Sequence, residues 1–241
     1  MMNPYGEALL RFTREHPDFV HDSHGDGKHL ALIIETRPSF WLPLVLRNVM
    51  FFLGPRWRLC VVCSLQAEFF LRSHTRDWQI EIINTLPGGP LKRSLYNQLV
   101  LNGGFWGRFR ENKVLLFQTD SLLCRHGVED YLQYDFIGAP CGDLDGDFVY
   151  NGGLSLRNRE LMEDIISQHD GVRGQDIAED VFFTENLRKQ GARLPDILTA
   201  SEFSVESVYR RHPFGVHGTD KYYHNLDTAM RIAAGIRYEP R

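Results

Sequence analysis

The sequence predicts an α/β fold in which a parallel sheet carries helices on both faces. Two observations predict it. Apolar runs of strand length alternate with helical segments in the first half of the chain, and the run Val114 to Phe117 ends abruptly on the polar residues Gln118 to Ser121. Continuous apolar runs are typical of parallel strands that are covered on both faces. Polar side chains at the carboxyl end of such a strand lie where open α/β sheets bind their ligands.

Length and composition exclude several classes of function. The chain has 241 residues, without a low-complexity linker or a repeat, which favours a single large domain. Its 27 basic and 31 acidic residues give a net charge of −4, whereas nucleic-acid binders usually have a basic excess. The sequence has no apolar stretch long enough to span a membrane and no signal pattern at its start. We therefore expect a cytoplasmic protein without a nucleic-acid partner or a membrane span.

The first half of the chain reads as alternating strands and helices behind a peripheral N-terminal helix and a polar loop. The predicted elements are the helix 3–15, the loop 16–29, the strand 30–34, the helix 39–53, the strand 57–63, the helix 67–72, the strand 78–83, the helix 91–101 and the strand 113–117. This order is typical of a parallel sheet with crossover helices.

The second half departs from this regular alternation. The predicted elements are a short strand 136–140, an acidic loop 141–147, a strand 150–157 that begins with two glycines, helices 158–169 and 179–190, a strand 203–206, a tight loop 213–218 and a helix 219–234.

The acidic run Asp143 to Asp147 is spaced like a calcium-binding loop. It lacks the glutamate of the twelfth position, where Leu154 stands, so a solvated loop is expected.

The four cysteines do not form the pattern of a disulfide framework. Cys60 and Cys63 are spaced as C-x-x-C, but both lie in a predicted strand. Residues three apart on a strand point to opposite faces, so the two thiols cannot share a metal ion. We expect free thiols.

Four polar clusters lie at element boundaries and are candidates for chemistry. They are Thr36, Arg37 and Pro38; Gln118, Thr119, Asp120 and Ser121; Asn151, Gly152 and Gly153 with Glu179 and Asp180; and His217. A carboxylate at a strand end can hold a hard cation, which in turn can hold a diphosphate. Each cluster also has a structural alternative. Asp120 could cap a helix, the glycines could form a bend, the acids at 179 and 180 could complement a helix dipole, and His217 could be structural. The common dinucleotide, P-loop and hydrolase motifs are absent.

Six motifs in a fixed order resemble the DUF5672 family, a group of proposed glycosyltransferases. They are residues 34–38, 117–121, 137–140, 151–157, 179–183 and 213–217, so the resemblance covers about 30–218. Cys141 departs from the pattern, because a tryptophan is expected there.

The resemblance implies a GT-A-type glycosyltransferase fold, with a Rossmann-like parallel sheet and a smaller mixed acceptor-side half. One domain would span 1–241, with a nucleotide-sugar half at 30–121 and an acceptor and catalytic half at 122–241. Asp120 resembles the last carboxylate of the Asp-x-Asp metal motif, although Gln118 occupies the first acidic position. Glu179-Asp180-Val181 is similar to the Glu-Asp-Val of inverting enzymes of the fringe and β-1,3-galactosyltransferase kind. His217 resembles their late histidine, a metal ligand.

These similarities imply a role for each candidate residue. Asp180 would be the catalytic base and Glu179 would orient the acceptor hydroxyl, for example of a glycan. Asp120 and His217 would hold Mn²⁺ or Mg²⁺. The donor, a nucleoside-diphosphate sugar, would contact Thr36, Arg37, Pro38, Gln118, Thr119, Asp120, Ser121, Asn151, Gly152 and Gly153.

Two alternatives from other classes remain open. A sugar-nucleotide nucleotidyltransferase could use the same metal position, but it would be expected to carry basic residues in a glycine-rich loop near the first strand. An inactive sugar-binding module is the other alternative, and Gln118 in place of an acid is its best support.

Overall fold

A computed structural model of the chain describes residues 4–22, 27–142, 148–169 and 177–218. Residues 143–147 of the predicted acidic loop 141–147 and the predicted C-terminal helix 219–234 lie outside these ranges. The helices are α1 (Pro4–Glu15), α2 (Trp41–Leu53), α3 (Leu65–His74), α4 (Arg93–Val100), α5 (Gly103–Trp106), α6 (Arg159–Ser167), α7 (Glu179–Lys189) and α8 (Ile197–Phe203), with a 3₁₀ turn at Val128–Tyr131. The strands are β1 (His29–Glu35), β2 (Trp57–Cys63), β3 (Glu81–Asn84), β4 (Lys113–Phe117), β5 (Ser121–Leu123), β6 (Phe136–Cys141), β7 (Val149–Asn158), β8 (Ser204–Val205) and β9 (Gly215–His217).

The main sheet has six strands in the order β3-β2-β1-β4-β7-β6. The first four strands are mutually parallel, and β7 runs antiparallel to both β4 and β6. Phe117 at the end of β4 pairs with Leu154 in the middle of β7, so the first residues of β7 extend beyond the end of β4. The beginning of β7 therefore lies at the same edge of the sheet as the carboxyl ends of β1 and β4. The predicted mixed α/β class is confirmed.

A second, three-stranded sheet has the order β5-β9-β8. Its register places His217 opposite Ser121. The buried side chain of Asn48 on α2 fixes β5, since its Nδ2 donates to the carbonyl of Leu123 at 3.0 Å and its Oδ1 accepts from the Leu123 amide at 2.8 Å. This sheet explains how His217, distant in sequence, comes to lie beside the end of β4.

Each face of the main sheet is covered by helices over its own apolar core. One core joins the sheet to α1, α2 and α3, and the other joins it to α4, α5, α6 and α7. Cys60 belongs to the second core and Cys63 to the first, so the two side chains point to opposite faces. The four cysteines are free thiols, as predicted, although Cys141 is only half-buried.

Five local elements differ from the sequence expectation. The third strand begins at Glu81 rather than at residue 78, because Trp78 packs edge-on against Phe19 instead of pairing with β2. The residues after the predicted helix 91–101 form the short helix α5, which Asn102 caps by accepting a hydrogen bond from the Gly104 amide. The strands β5 and β9 and the helix α8 were not predicted. Asp196 caps α8 by accepting from the amide of Thr199 at 2.7 Å.

Among the described helices, none has the length and apolar character needed to cross a bilayer.

A buried histidine makes the stability of the fold depend on pH. His21 is 2% exposed, and burial lowers the pKa of its imidazole to about 4, against the opposing effect of Asp22. The pKa in the unfolded chain is about 6.5, so this stability is complete above that pH and is lost as the pH falls toward 4. We expect His21 to account for a fall of about 1–3 kcal/mol in the free energy of unfolding between pH 7 and pH 4.

The variant His21→Gln should show a shallower pH dependence in urea unfolding at pH 7, 5.5 and 4. His74→Gln is the matched control, because His74 is exposed at the end of α3 and should leave the slope unchanged. Identical slopes for the wild type and His21→Gln would contradict this assignment.

Candidate functional site

A cavity of about 750 Å³ opens at the edge of the main sheet where β1 and β4 end and β7 begins. The helix α2 that follows β1 packs on one face of the sheet, whereas the helices α4 and α5 that precede β4 pack on the other face. Where neighbouring strands have their helices on opposite faces, an open α/β sheet forms a crevice at the carboxyl ends of the strands, and ligands bind there. Most of the predicted site residues line it: Arg37, Gln118, Thr119, Asp120, Asn151, Gly152, Gly153, Glu179, Asp180 and His217. The volume falls within the range usual for small-molecule sites, about 300–1,000 Å³.

Asp120, Gln118 and His217 converge at the end of β4. Nε2 of His217 lies 3.3 Å from Oδ1 of Asp120 and 3.2 Å from Oε1 of Gln118. The chain turns between β4 and β5, since the amide of Gln118 donates to Oγ of Ser121 at 3.1 Å. A strand, not a helix, follows Asp120, so the helix-cap alternative for this residue is wrong.

His217 is a buried histidine between two carboxylates. It is 3% exposed, and its Nδ1 lies 3.6 Å from Oε1 of Glu206, itself 3% exposed. Burial alone would lower the pKa of His217, but Asp120 and Glu206 outweigh burial and raise it to about 9. This position therefore favours positive charge.

Gly152 and Gly153 are needed for close approach at the start of β7. A Cβ on Gly153 would overlap the imidazole ring of His217, and one on Gly152 would overlap Oε1 of Glu179. The side chain of Asn151 closes the turn by accepting from the Gly153 amide at 2.7 Å. The two glycines thus let His217 and Glu179 pack directly on the backbone.

Glu179 forms a buried ion pair with Arg157 of β7. Nη1 of Arg157 lies 2.7 Å from Oε2 of Glu179, and Nη2 lies 3.0 Å from Oε1. Arg157 is 0% exposed; burial alone would lower its pKa, but Glu179 outweighs burial and raises it, so the guanidinium stays charged. Both carboxylate oxygens of Glu179 are thus engaged inside the protein, an arrangement that the sequence did not indicate.

Asp180 follows Glu179 in the first turn of α7 and is half-buried at the cavity wall. Its Oδ1 accepts a hydrogen bond from the amide of Val181 at 2.9 Å. The helix dipole favours a carboxylate at this position, which is the structural alternative for the residue. That contact also orients the carboxylate at the cavity wall.

Three predicted donor-binding residues do not line the cavity. Thr36 is buried, and its Oγ1 donates to the carbonyl of Gly89. Ser121 is also buried, and its Oγ donates to the carbonyl of Gly153 at 3.1 Å. Pro38 is exposed outside the lining. We therefore leave these three residues out of the site.

Arg37 lines the cavity but is already paired with Glu35. Its Nε and Nη2 donate to the two Glu35 oxygens at 3.0 and 2.8 Å. The hydrogen bonding of the guanidinium to the Glu35 carboxylate is the largest cause that raises the pKa of Arg37. A phosphate at this position would have to compete with that carboxylate.

Several lining residues were missed by the sequence analysis. They are Tyr5, Trp41, Arg93, Tyr96, Asn97 and Glu206. Tyr5, for example, donates from α1 to backbone carbonyls of the β4–β5 turn, at 2.6 Å to Thr119 and 2.7 Å to Ser121. These residues lie on helices or in loops with no motif of their own. Only the helical spacing of Arg93, Tyr96 and Asn97 could have placed three of them on one face.

The polar atoms around Asp120 suit a hard divalent cation. Ligands of an octahedral ion at about 2.1 Å lie about 3 Å apart, close to the separations between His217 Nε2 and its two neighbours. Within the described ranges, no group of three or more His, Cys, Asp or Glu side chains is placed to hold a metal ion. At the end of β4, the described residues Asp120 and His217 lie close together with the amide oxygen of Gln118.

Comparisons with known proteins agree with the fold. The glycosyltransferase GlyE of Streptococcus pneumoniae TIGR4 superposes with a TM-score of 0.50 at 11% identity, over 84% of this chain and 59% of GlyE. The galactosyltransferase LgtC with donor and acceptor sugar analogs has a TM-score of 0.49 at 14% identity, over 87% of this chain and 97% of LgtC. The mannosyltransferase PcManGT from Pyrobaculum calidifontis, with GDP-Man and Mn²⁺, has a TM-score of 0.47 at 14% identity, over 80% of this chain and 64% of PcManGT. The last two likenesses are too distant to carry an argument. The fold is of the GT-A type, as the resemblance implied.

The sequence comparison gives the family. The profile of DUF5672, described as a protein of unknown function, matches residues 83–217, more than half of the chain. The chain belongs to the DUF5672 family. No protein with a curated description matches it in sequence.

The close approach at Gly153 can be tested without knowing the ligand. Gly153→Ala should cost about 1–3 kcal/mol in the free energy of unfolding, because the new methyl group overlaps the buried ring of His217. Gly103→Ala is the matched control. A Cβ there meets only Ile166 at 3.8 Å, and alanine favours the helix α5. Urea unfolding measures both, and equal stabilities of the two variants would contradict the packing described here.

Proposed function

We propose that this protein is a metal-dependent glycosyltransferase. It would transfer a sugar from a nucleoside-diphosphate sugar to a hydroxyl group of an acceptor such as a glycan. The observation that carries the proposal is the convergence of Gln118, Asp120 and His217 at the carboxyl edge of the sheet, in the same cavity as Asp180. The proposal treats 30–121 and 122–241 as halves of one domain, since the cavity draws residues from both.

The charges that line the cavity support a need for an added cation. Glu35 is neutralised by Arg37, and Glu179 is neutralised by Arg157. The other lining acids are Asp120, Asp180 and Glu206, against Arg93 and His217 as the lining bases. An anionic diphosphate would be repelled by this excess of carboxylates unless a divalent ion came with it.

Gln118, Asp120 and His217 would hold Mn²⁺ or Mg²⁺, and oxygens of the diphosphate and water would complete its coordination. His217 would bind the ion as the neutral imidazole, after losing the proton that Asp120 and Glu206 favour in the free protein. When bound, the ion would neutralise the charge that develops on the departing diphosphate. Glu206 faces Nδ1 of His217 and would keep the ring turned with Nε2 toward Asp120. The chain's own contribution is to present these three groups at fixed positions on β9 and at the end of β4.

Asp180 would act as the general base. Its carboxylate stands at the cavity wall, oriented by the Val181 amide, and would take the proton of the acceptor hydroxyl as that oxygen attacks the anomeric carbon. Attack from the side opposite the diphosphate would invert the anomeric configuration. We assign Glu179 a positioning role instead of an acceptor contact, because Arg157 already binds both of its oxygens.

The metal assignment predicts a change in nucleotide binding. UDP or GDP should raise the melting temperature of the wild type with Mn²⁺ present, and Asp120→Asn should abolish this shift while leaving the unliganded protein folded. The control is Asp130→Asn, an exposed position in the 3₁₀ turn, which should behave like the wild type. Equal nucleotide shifts in EDTA and in Mn²⁺ would rule out the metal site.

The base assignment predicts a loss of turnover at constant donor affinity. Asp180→Asn should lower kcat by about 10²–10⁴-fold, because the amide cannot accept the proton. Glu179→Gln should instead lower the free energy of unfolding by about 3–5 kcal/mol, because it leaves the buried Arg157 charge uncompensated. Donor turnover, with water as the acceptor if no glycan is found, measures the first effect, and NMR of the early product should show an inverted anomeric centre.

A role for Asp180 limited to the helix dipole would give a different result. Asp180→Asn would then cost at most about 1 kcal/mol of stability and leave turnover intact. A product with retained configuration would also remove Asp180 from the role of base.

A further inference from the structure

Two buried polar side chains on α4 line the cavity, and each has one polar atom without a hydrogen-bond partner among the described residues. Tyr96 is 9% exposed and Asn97 is 4% exposed, and both line the cavity. Neither Oη of Tyr96 nor Nδ2 of Asn97 has a hydrogen-bond partner within the part of the chain that the structure describes. Buried polar groups are almost always hydrogen-bonded, so a pair of exceptions on one helix face calls for a ligand or water.

The hydroxyl of Tyr96 lies close to Gln118, one of the residues proposed to hold the metal. Burial is the largest cause that raises the pKa of Tyr96, and the negative charge of Glu179 is the next. Asp180 also raises this pKa, whereas the nearby side chain of Gln118 lowers it, although the hydroxyl and that side chain do not reach hydrogen-bonding geometry. The phenol therefore keeps its proton and can donate a hydrogen bond at neutral pH.

Burial restricts the movement of both side chains. The ring of Tyr96 belongs to the second apolar core, and Asn97 on α4 is only 4% exposed. Groups fixed on a helix in this way are preorganised, so a ligand that bonds to them loses little further side-chain entropy. Oη of Tyr96 and Nδ2 of Asn97 are thus two preorganised hydrogen-bonding groups in the wall of the cavity.

We propose that Tyr96 and Asn97 form the subsite for the transferred sugar, where each hydrogen-bonds a ring hydroxyl of a hexopyranose. This inference rests on the proposed function, in which the sugar must lie between the diphosphate at Asp120 and the base at Asp180. A site with buried polar groups selects for the hydroxyls that satisfy them and rejects sugars that lack them. The pair would therefore set which donor sugar is accepted, whereas the nucleotide is bound elsewhere in the cavity.

The test compares a nucleoside diphosphate with the same nucleotide carrying a sugar. Calorimetry with Mn²⁺ gives the dissociation constants of UDP, GDP, UDP-glucose, UDP-galactose, UDP-N-acetylglucosamine and GDP-mannose. For the preferred donor, the sugar should tighten binding relative to the bare nucleotide. Tyr96→Phe and Asn97→Ala should each reduce that gain about three- to tenfold, the usual worth of one hydrogen bond, with the affinity for UDP or GDP unchanged.

The unliganded protein gives an independent readout. Tyr96→Phe removes a hydroxyl without a hydrogen bond, so the melting temperature of the free protein should stay the same or rise. Tyr150→Phe is the matched control. It deletes a buried hydroxyl that donates to the carbonyl of Pro195 at 2.5 Å, and it should lower the melting temperature.

Each result of these measurements either supports or overturns the proposed sugar subsite. A sugar-dependent gain that survives in both variants, or no gain for any donor in the wild type, would overturn the subsite while leaving nucleotide binding in place. No binding of any nucleoside diphosphate would overturn the proposed function and the subsite together. A lower melting temperature for Tyr96→Phe would also count against the subsite, because it would show that the hydroxyl already has a partner in the free protein.

Discussion

The buried ion pair between Arg157 and Glu179 is the interaction on which the arrangement of the cavity depends. It joins β7, a central strand, to the first residue of α7, and Arg157 also donates from Nη2 to the carbonyl of Gly152 at 3.2 Å. The guanidinium lies over the ring of Phe136 at 5.0 Å, in an apolar environment where an unpaired charge would be costly. Because neither partner tolerates separation there, the start of α7 is held against the glycines of β7. Asp180 is placed at the cavity wall as a consequence.

The antiparallel strand β7 is the second constraint. Had it been parallel to β4, its glycines would lie at the opposite edge of the sheet from Asp120. Instead, its first residues meet the end of β4, and the small sheet of β5 and β9 brings His217 to the same place. Space for the imidazole exists only because residue 153 is glycine. Residues from separate parts of the chain therefore share one cavity for reasons of topology and packing.

The sequence predicted the sheet more reliably than the site. Apolar runs located β1, β2 and β4, since strands covered on both faces leave a strong signal. The polar turn after β4 also indicated that Asp120 lies at the edge of the sheet, where it lines the cavity. The pairing of Arg157 with Glu179 could not be predicted. The two residues are 22 positions apart, and nothing in the sequence around them indicates that they are buried against each other. Glu206 and Tyr96 were missed for a similar reason. They line the cavity because of their neighbours in three dimensions, and neither belongs to a recognisable sequence motif.

The most direct test of the central claim is the fate of a nucleoside-diphosphate sugar incubated with the protein and Mn²⁺, followed by phosphorus NMR. A glycosyltransferase releases the nucleoside diphosphate from one donor of a panel, even if water is the only acceptor, and this is the result expected here. Release of a nucleoside triphosphate and a sugar 1-phosphate when pyrophosphate is added would indicate a nucleotidyltransferase. Tight binding without any cleavage would indicate a sugar-binding module, and either result would contradict the account.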